Sequence, residues 1–356
     1  MDIGITGLPL VGKTTLFNAL TGRSAQTGAY ASKDAHRGSV EVPEPRLDAL
    51  AQIFDPEKIT PAVVNYTDVA GVTKGGASDS RASQLAVLRG VDALVHVVRG
   101  FESDVVPVPD EGLDPIRDVE DFDLELILAD LEIAERRLDR LKKDLRGGDP
   151  EAEIEASILE KCRQSLTADE PIRSLEISDD ERLKLRGFQF LTDKPVVVAI
   201  NVGEDQAGQQ VTGQWAELAK KPNTQVITIC AELEMELAQL DENDRAVFQE
   251  DLGIEELALG TLIRKSYELL DLVDFFTAGP QEVRAWTLRK GSTALDAAGS
   301  IHSDLERGFI RAETVAFDEL VECESFAGAR DKGVLRLEGR AYVVKDGDVL
   351  TIRFNV

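Results

Sequence analysis

The sequence predicts an α/β protein: a mostly parallel sheet, an inserted antiparallel helical hairpin and a separate small unit at the C-terminal end. Three patterns carry this reading. Strand-like and helix-like stretches alternate over the first 100 residues and again from 195 to 230, leucines recur every seven residues in between, and short strands with glycine turns take over from about residue 281. Alternation of the first kind implies crossover helices on a parallel sheet. A chain of 356 residues is also long enough for two or three domains.

In order along the chain, Asp2–Thr6 reads as a strand and Lys13–Thr21 as a helix closed by Gly22. Ala62–Asp68 is a second strand, Ala82–Gly90 a helix and Ala93–Val98 a buried strand. The same rhythm resumes with Pro195–Asn201, the helical Val211–Lys220 and the strand Gln225–Cys230. Between the halves, Leu124, Leu131, Leu138 and Leu145 recur at heptad spacing with Ile127, Ala134 and Leu141 in the matching positions. Gly147-Gly148-Asp149-Pro150 ends that helix, and Ile154, Ile158 and Cys162 mark its return partner. Because strands follow, the hairpin is inserted at about 121–192 within a domain spanning 1–280. Beyond it, Glu282–Thr287, Arg340–Val344 and Val349–Phe354 read as strands and Thr293 to Gly299 as a short helix. Together they form a second domain over 281–356.

Composition narrows the function. The net charge is −26, which opposes binding to a phosphate backbone and excludes a general DNA binder. The charge is uneven. Of 40 Lys and Arg and 66 Asp and Glu, 11 and 13 fall from residue 281 onward, so that segment is nearly neutral and could approach RNA. Three scattered cysteines, Cys162, Cys230 and Cys323, match no metal or disulfide spacing and suit a reducing cytoplasm. No signal-peptide pattern opens the chain, and no apolar run approaches the length of a membrane span. His36, His96 and His302 are isolated, and His96 reads as structural. Arg136, Arg140 and Lys143, with Arg137, Lys142 and Arg146 nearby, could form a stripe for ribosomal RNA. Glu132 and Asp139 on the same helix favour a solvated, ion-paired face instead.

The chemistry is carried by Gly7-Leu8-Pro9-Leu10-Val11-Gly12-Lys13-Thr14, a Walker A sequence between a strand and a helix. Gly12 admits close approach of the backbone to phosphates, and successive amides, including those of Leu10, Val11 and Thr15, form an anion nest at a helix N-terminus. Lys13 supplies charge at the terminal phosphates, and the Thr14 hydroxyl suits Mg²⁺. Asp68-Val69-Ala70-Gly71 follows at a strand end, where Asp68 would hold the metal and the Gly71 amide would sense the γ-phosphate. Asn201-Val202-Gly203-Glu204 occupies the place of a guanine-reading Asn-Lys-x-Asp. Val202 and Glu204 replace its lysine and aspartate and should spoil guanine readout, while Ala231 sits where a backbone amide would approach the base.

These residues resemble the YchF or Obg-like ATPase family. The likeness extends over essentially the whole chain. It includes the Gly-Leu-Pro start of the loop, Gly38-x-Val40-x-Val42-Pro43-x-x-Arg46-Leu47, Asp68-Val69-Ala70-Gly71-Val72-x-Lys74-Gly75-Gly76, Val97-Val98-Arg99-Gly100-Phe101-Glu102 and Asp114-Pro115-Ile116-Arg117-Asp118. The resemblance implies a P-loop GTPase-like fold that prefers ATP over GTP, a C-terminal β-grasp (TGS) domain, Mg²⁺ as cofactor and a role at the ribosome. It also implies that a hydrophobic residue, here Val72, replaces the catalytic glutamine. Three positions depart from the family. Leu10 stands for an asparagine linked to a monovalent cation, Ser32 falls where a switch threonine would hold Mg²⁺, and Pro107 falls where a loop histidine is usual. All three point to slow turnover. The expected function is a slow ATP hydrolase acting as a translation-associated or stress-regulating switch. A nucleotide-gated binding module with little hydrolysis and a GTPase stand as alternatives.

Overall fold

The protein is described by a computed structural model covering residues 1–22, 36–71, 78–108, 112–252, 254 and 256–355. The chain enters β1 (Asp2–Thr6), turns into α1 (Lys13–Thr21) and continues through β2 (His36–Glu41), α2 (Pro45–Phe54), β3 (Lys58–Thr60), β4 (Val63–Asp68), α3 (Ser78–Arg89) and β5 (Ala93–Arg99). Next come α4 (Pro115–Arg146), α5 (Pro150–Thr167), α6 (Asp179–Leu185), β6 (Val196–Asn201), α7 (Gln214–Leu218), β7 (Thr224–Ile229), α8 (Ala231–Leu237), α9 (Glu242–Leu252) and α10 (Ala258–Leu269). The C-terminal stretch holds β8 (Leu272–Ala278), β9 (Glu282–Arg289), α11 (Ala294–Ile301), α12 (Ser303–Arg307), β10 (Phe309–Ala316), α13 (Phe317–Cys323), α14 (Phe326–Asp331), β11 (Arg336–Glu338) and β12 (Asp348–Phe354). Two compact units result, one of 1–39 and 65–269, the other of 40–64 and 270–356.

The first unit is built on a six-stranded sheet of order β2-β4-β1-β5-β6-β7, in which β1 pairs in parallel with β4 and β5, β5 with β6, and β6 with β7. Every residue of β5 and β6 is buried. That is why they read as continuous apolar runs rather than alternating ones. The chain leaves β1 on one side toward β4 and returns on the other at β5. The crevice where ligands bind in such sheets therefore opens at the carboxyl end of β1. The helix expected over 211–220 is shorter, Gln214–Leu218, confined by Gly213 and by Pro222, which disfavours helical geometry in the residue before it.

The hairpin forms as the heptads indicate. Asp114 caps α4 by accepting from the Arg117 N–H, with Pro115 opening the helix, and Asp149 with Pro150 does the same for α5. Ile127, Ala134 and Leu141 are buried against Ile158, Leu159, Cys162 and Leu166, while Leu131, Leu138 and Leu145 flank them. Leu124 is exposed, contrary to the seam reading, because α4 starts at Pro115 and its first turns bury Phe122 and Leu126 on the sheet instead. Asp130, fully buried, accepts from Arg89 at 2.9 Å and from the Thr192 backbone and hydroxyl at 2.8 and 2.9 Å, tying α4 to the end of α3 and to the turn before β6. Along the basic stripe Arg136 pairs with Glu132, Arg137 with Glu155 and Lys142 with Asp139, mostly in solvent. His96 is buried against Phe122, ring centroids 4.2 Å apart, and burial pulls its pKa down to about 4, as a neutral structural residue requires.

The second unit has a six-stranded sheet of order β11-β10-β12-β8-β9-β3. The β8–β9 hairpin is antiparallel, α11 crosses it, and β12 returns parallel to β8 while pairing antiparallel with β10. This is the β-grasp arrangement. Two boundaries differ from expectation. The unit begins at Leu270, not 281, because β8 supplies the partner of β9. It also takes in residues 40–64, since β3 pairs in parallel with β9. Arg340–Val344 is not a strand despite its β-branched and aromatic residues. Its backbone is held across the start of α11 by Ala294 N–H to Tyr342 O and Val344 N–H to Ser292 O, and the Tyr342 hydroxyl donates to Asp348 at 2.8 Å. The strand beside β12 is instead β10, with the short β11 beyond it at the edge.

The segment 40–64 is fixed in this unit by Arg46. Its guanidinium donates to both Glu44 oxygens and to Asp346 at 2.7 Å, and lies 5.0 Å from the centre of the Phe276 ring. Asp346 in turn accepts from the Asp274 N–H at 2.9 Å. Asp274 is buried and accepts from the Thr287 hydroxyl at 2.9 Å.

Candidate nucleotide site

The loop 7–12 leaves β1 at the crevice and delivers α1 with its amide end open. Gly12 precedes α1 at φ 97, and a Cβ there would lie 2.2 Å from the Asn201 side chain. Only glycine accepts both that left-handed backbone and that contact. Gly7 is buried at the head of the loop, Val11 is buried within it, and Leu10 stands exposed at its apex with φ 64. A non-glycine residue in this region carries strain, and asparagine tolerates it far better than leucine.

Lys13, 7% exposed, donates its ammonium to the Leu8 carbonyl at 2.6 Å. Burial lowers its pKa to about 8, with the Asp68 carboxylate opposing the shift. The Thr14 hydroxyl donates to Asp68 Oδ2 at 2.8 Å. Burial holds Asp68 above the usual carboxylate range, against the Thr14 hydrogen bond and the Lys13 charge. Its other oxygen, Oδ1, is buried with no hydrogen-bond partner among the described residues. An orphaned carboxylate oxygen beside a hydroxyl fits a hard divalent cation whose remaining ligands are water and phosphate. Among the described residues no cluster of three or more His, Cys, Asp or Glu could hold a metal on its own.

Gly71 comes against the loop, where an added Cβ would fall 2.8 Å from Pro9 N and 3.0 Å from Lys13 Nζ. Four of the expected residues, Lys13, Thr14, Asp68 and Gly71, therefore converge. Thr15 is half-buried on the first turn of α1. Val72 and Ser32 lie outside the described residues.

Asn201 joins the other half. Its Nδ2 donates to the Val11 carbonyl at 2.9 Å, and its Oδ1 accepts the Ala231 N–H at 3.0 Å. One side chain thus fixes the phosphate loop to the start of α8. Val202 is buried in the apolar cluster with Val98, Val196 and Ile200, and its N–H donates to the Ile229 carbonyl. It therefore offers no stem along a base, unlike the lysine it replaces. Glu204 is exposed at the start of a short 3₁₀ turn, 204–206.

Residue type alone assigns no role to Arg99 of the motif Val97-Val98-Arg99-Gly100-Phe101-Glu102. Arg99, 4% exposed at the end of β5, donates from Nε to Phe101 O at 3.2 Å, from Nη1 to Pro107 O at 2.8 Å and from Nη2 to Val106 O at 3.0 Å. The signal in sequence was an arginine closing a strand in which His96 is the other polar residue.

A parallel sheet with this loop at its switch point, and a lysine, a threonine and an aspartate gathered there, defines a P-loop nucleotide-binding protein of the GTPase fold. Comparisons with known proteins agree. A model for the 50S ribosome-binding GTPase matches residues 2–133, and a YchF-GTPase C-terminal model, described as a protein of unknown function, matches 272–355. The ribosome-binding ATPase YchF of Bacillus subtilis (strain 168) is 44% identical over 364 residues, covering 100% of both chains. That of Escherichia coli O157:H7 is 41% identical over 358 residues, covering 99% of each. The solved YchF GTPase of Schizosaccharomyces pombe superposes with a TM-score of 0.87 at 31% identity, covering 99% of this chain and 97% of that one. The chain belongs to the YchF family. Among the described residues no helix is long and apolar enough to cross a membrane.

Proposed function

We propose that the chain binds Mg²⁺-ATP on the loop 7–15 and hydrolyses it slowly, as a cytoplasmic switch that engages the ribosome. The observation that carries the nucleotide assignment is the convergence of Lys13, Thr14 and Asp68 at one crevice, with Asp68 Oδ1 left unpaired. Thr14 and Asp68 would hold Mg²⁺, and Ser32 is the proposed third metal ligand. The cation would neutralise charge between the phosphates. Gly7, Leu10, Val11, Gly12, Thr15 and Gly71 are the proposed backbone cradle. Asn201, Val202, Glu204 and Ala231 form the base end, with Lys13 at the phosphates.

Preference for ATP over GTP is supported by the burial of Val202 and by a glutamate at 204, which leave no lysine stem and no correctly placed aspartate for guanine. Slow turnover is supported by valine at 72 and proline at 107, neither of which can orient water or move a proton. The partner is supported by the relatives, which are named ribosome-binding ATPases.

Single-turnover hydrolysis of ATP with Mg²⁺, in KCl and in NaCl, together with co-sedimentation with ribosomes in the presence of ATP, tests this reading. Slow hydrolysis without potassium stimulation and nucleotide-dependent pelleting are expected. Turnover near ~1 s⁻¹, within the range ordinary enzymes reach, would contradict the slow-switch assignment.

A further inference from the structure

Arg99 is a buried cation without a carboxylate partner among the described residues, in a chain of net charge −26. Its guanidinium is spent on neutral dipoles: the carbonyls of Phe101, Val106 and Pro107, with the Phe101 ring 4.8 Å away. Burying a charge this way is unfavourable unless the geometry it enforces is needed. The three carbonyls belong to both ends of one loop, 101–107, so a single fork draws the loop closed at its base.

The loop lies beside the nucleotide site. Arg99 is in register with Asn201 across β5 and β6, and the Gly100 N–H donates to the Asn201 carbonyl at 2.7 Å. Asn201 is the residue that holds Val11 and Ala231. Within the loop Val105 is 88% exposed, and Val108, just past it, is 51% exposed. Serine 103 orders the turn at the other side, accepting from the Val105 and Val106 N–H groups.

We propose that Arg99 is a positioning residue: it sets the 101–107 loop as a wall of the nucleotide site, and that wall slows the escape of bound nucleotide. This rests on the nucleotide reading above. The fork geometry matters, because three carbonyls in different directions need the planar, multi-donor guanidinium, and a lysine ammonium at the end of a flexible stem does not reproduce it.

The test compares the full chain with R99M and R99K. Hydrogen exchange over residues 100–108 and the dissociation rate of a fluorescent ATP analogue are measured on each, with folding checked by thermal melting. Both variants are expected to exchange about tenfold faster over 100–108 and to release the analogue about tenfold faster, with association changed less than twofold. A generally destabilised domain would lower the active fraction without raising the dissociation rate of the folded molecules. If R99M does not fold, R99K carries the test, since it keeps the charge. Unchanged exchange over 100–108, or an unchanged dissociation rate, overturns the proposal. Absence of any nucleotide binding by the unsubstituted chain would refute the nucleotide reading instead, and the exchange measurement would still decide whether Arg99 holds the loop.

Discussion

The Asn201 side-chain amide donates to the Val11 carbonyl at 2.9 Å across 190 residues of sequence, and the same side chain accepts from Ala231. Both partners are buried, so removing the amide strands a carbonyl and an N–H. Each stranded group costs ~1–3 kcal/mol. N201A is therefore expected to destabilise the fold by about 2–6 kcal/mol, with or without nucleotide, and to weaken ATP binding at least ~5-fold, the equivalent of ~1 kcal/mol, by loosening the phosphate loop and the base end together. Calorimetric titration measures it. A dissociation constant within twofold of the unsubstituted protein would show that the loop keeps its shape without Asn201.

Lys13 makes a pH prediction. Its pKa in the free protein is lowered to about 8, chiefly by burial. A bound triphosphate would raise it again, so binding takes up a proton wherever the free lysine is neutral and the bound one charged. Affinity is thus full below pH 8 and falls as pH rises through it. Titrations near pH 8 in buffers of different ionisation enthalpy should reveal this uptake, and titrations near pH 6.5 should reveal none from this group. K13A should lose the pH dependence along with ~10- to 150-fold in affinity, the worth of a charge-assisted contact. A flat profile between pH 7 and 9 would place the lysine away from the phosphates.

What the sequence disclosed follows from what is local. The loop 7–14 was legible because strand, glycine turn and helix are contiguous, and the ends of β1 and α1 fell where propensity and Gly22 placed them. The hairpin was legible because a heptad repeats within one helix. The transfer of 40–64 into the second unit was hidden, because it depends on β3 meeting β9 more than 200 residues later. Arg340–Val344 misled because β-propensity describes a half-buried pleated surface, and here the backbone bonds go to the start of α11. Within the site, the gathering of Lys13, Thr14 and Asp68 was readable from residue types. The two hydrogen bonds of Asn201 and the loop contacts of Arg99 were not, since they depend on which strands become neighbours.

Leu10 is held at φ 64 at the loop apex. A left-handed backbone costs an ordinary residue ~1–2 kcal/mol, and asparagine much less. L10N is expected to stabilise the free protein by about 0.5–1 kcal/mol, seen as a higher melting temperature without nucleotide. A lower melting temperature would mean that leucine makes apolar contacts worth more than the strain.

Asp274 predicts a stability change in the second unit. Burial, with Glu44 and Asp346 nearby and Arg46 and Thr287 opposing, raises its pKa from 3.8 to about 6. A carboxyl whose folded pKa is raised stabilises the fold below pH 3.8, and that contribution is lost as pH rises through 6. At pH 7 the buried charge is a net burden of up to about 3 kcal/mol, at ~1.4 kcal/mol per unit. D274N can still accept from Thr287 and carries no charge. It should be more stable than the unsubstituted protein at pH 7 by about 1–3 kcal/mol, with the difference shrinking toward pH 4. Denaturant unfolding at the two pH values checks the sign. Equal stabilities at pH 7 would mean that Arg46 fully compensates the charge.

The choice between adenine and guanine bears most directly on the function. Val202 is buried in the core, and Glu204 stands where the guanine-reading motif would have aspartate, which is why ATP is the proposed ligand. Calorimetric titration of one protein preparation with Mg²⁺-ATP and with Mg²⁺-GTP, under the same salt and pH, is the deciding measurement. ATP is expected to bind at least tenfold more tightly. GTP binding as tightly as ATP, or no binding of either triphosphate, would contradict the assignment of this crevice as an ATP site.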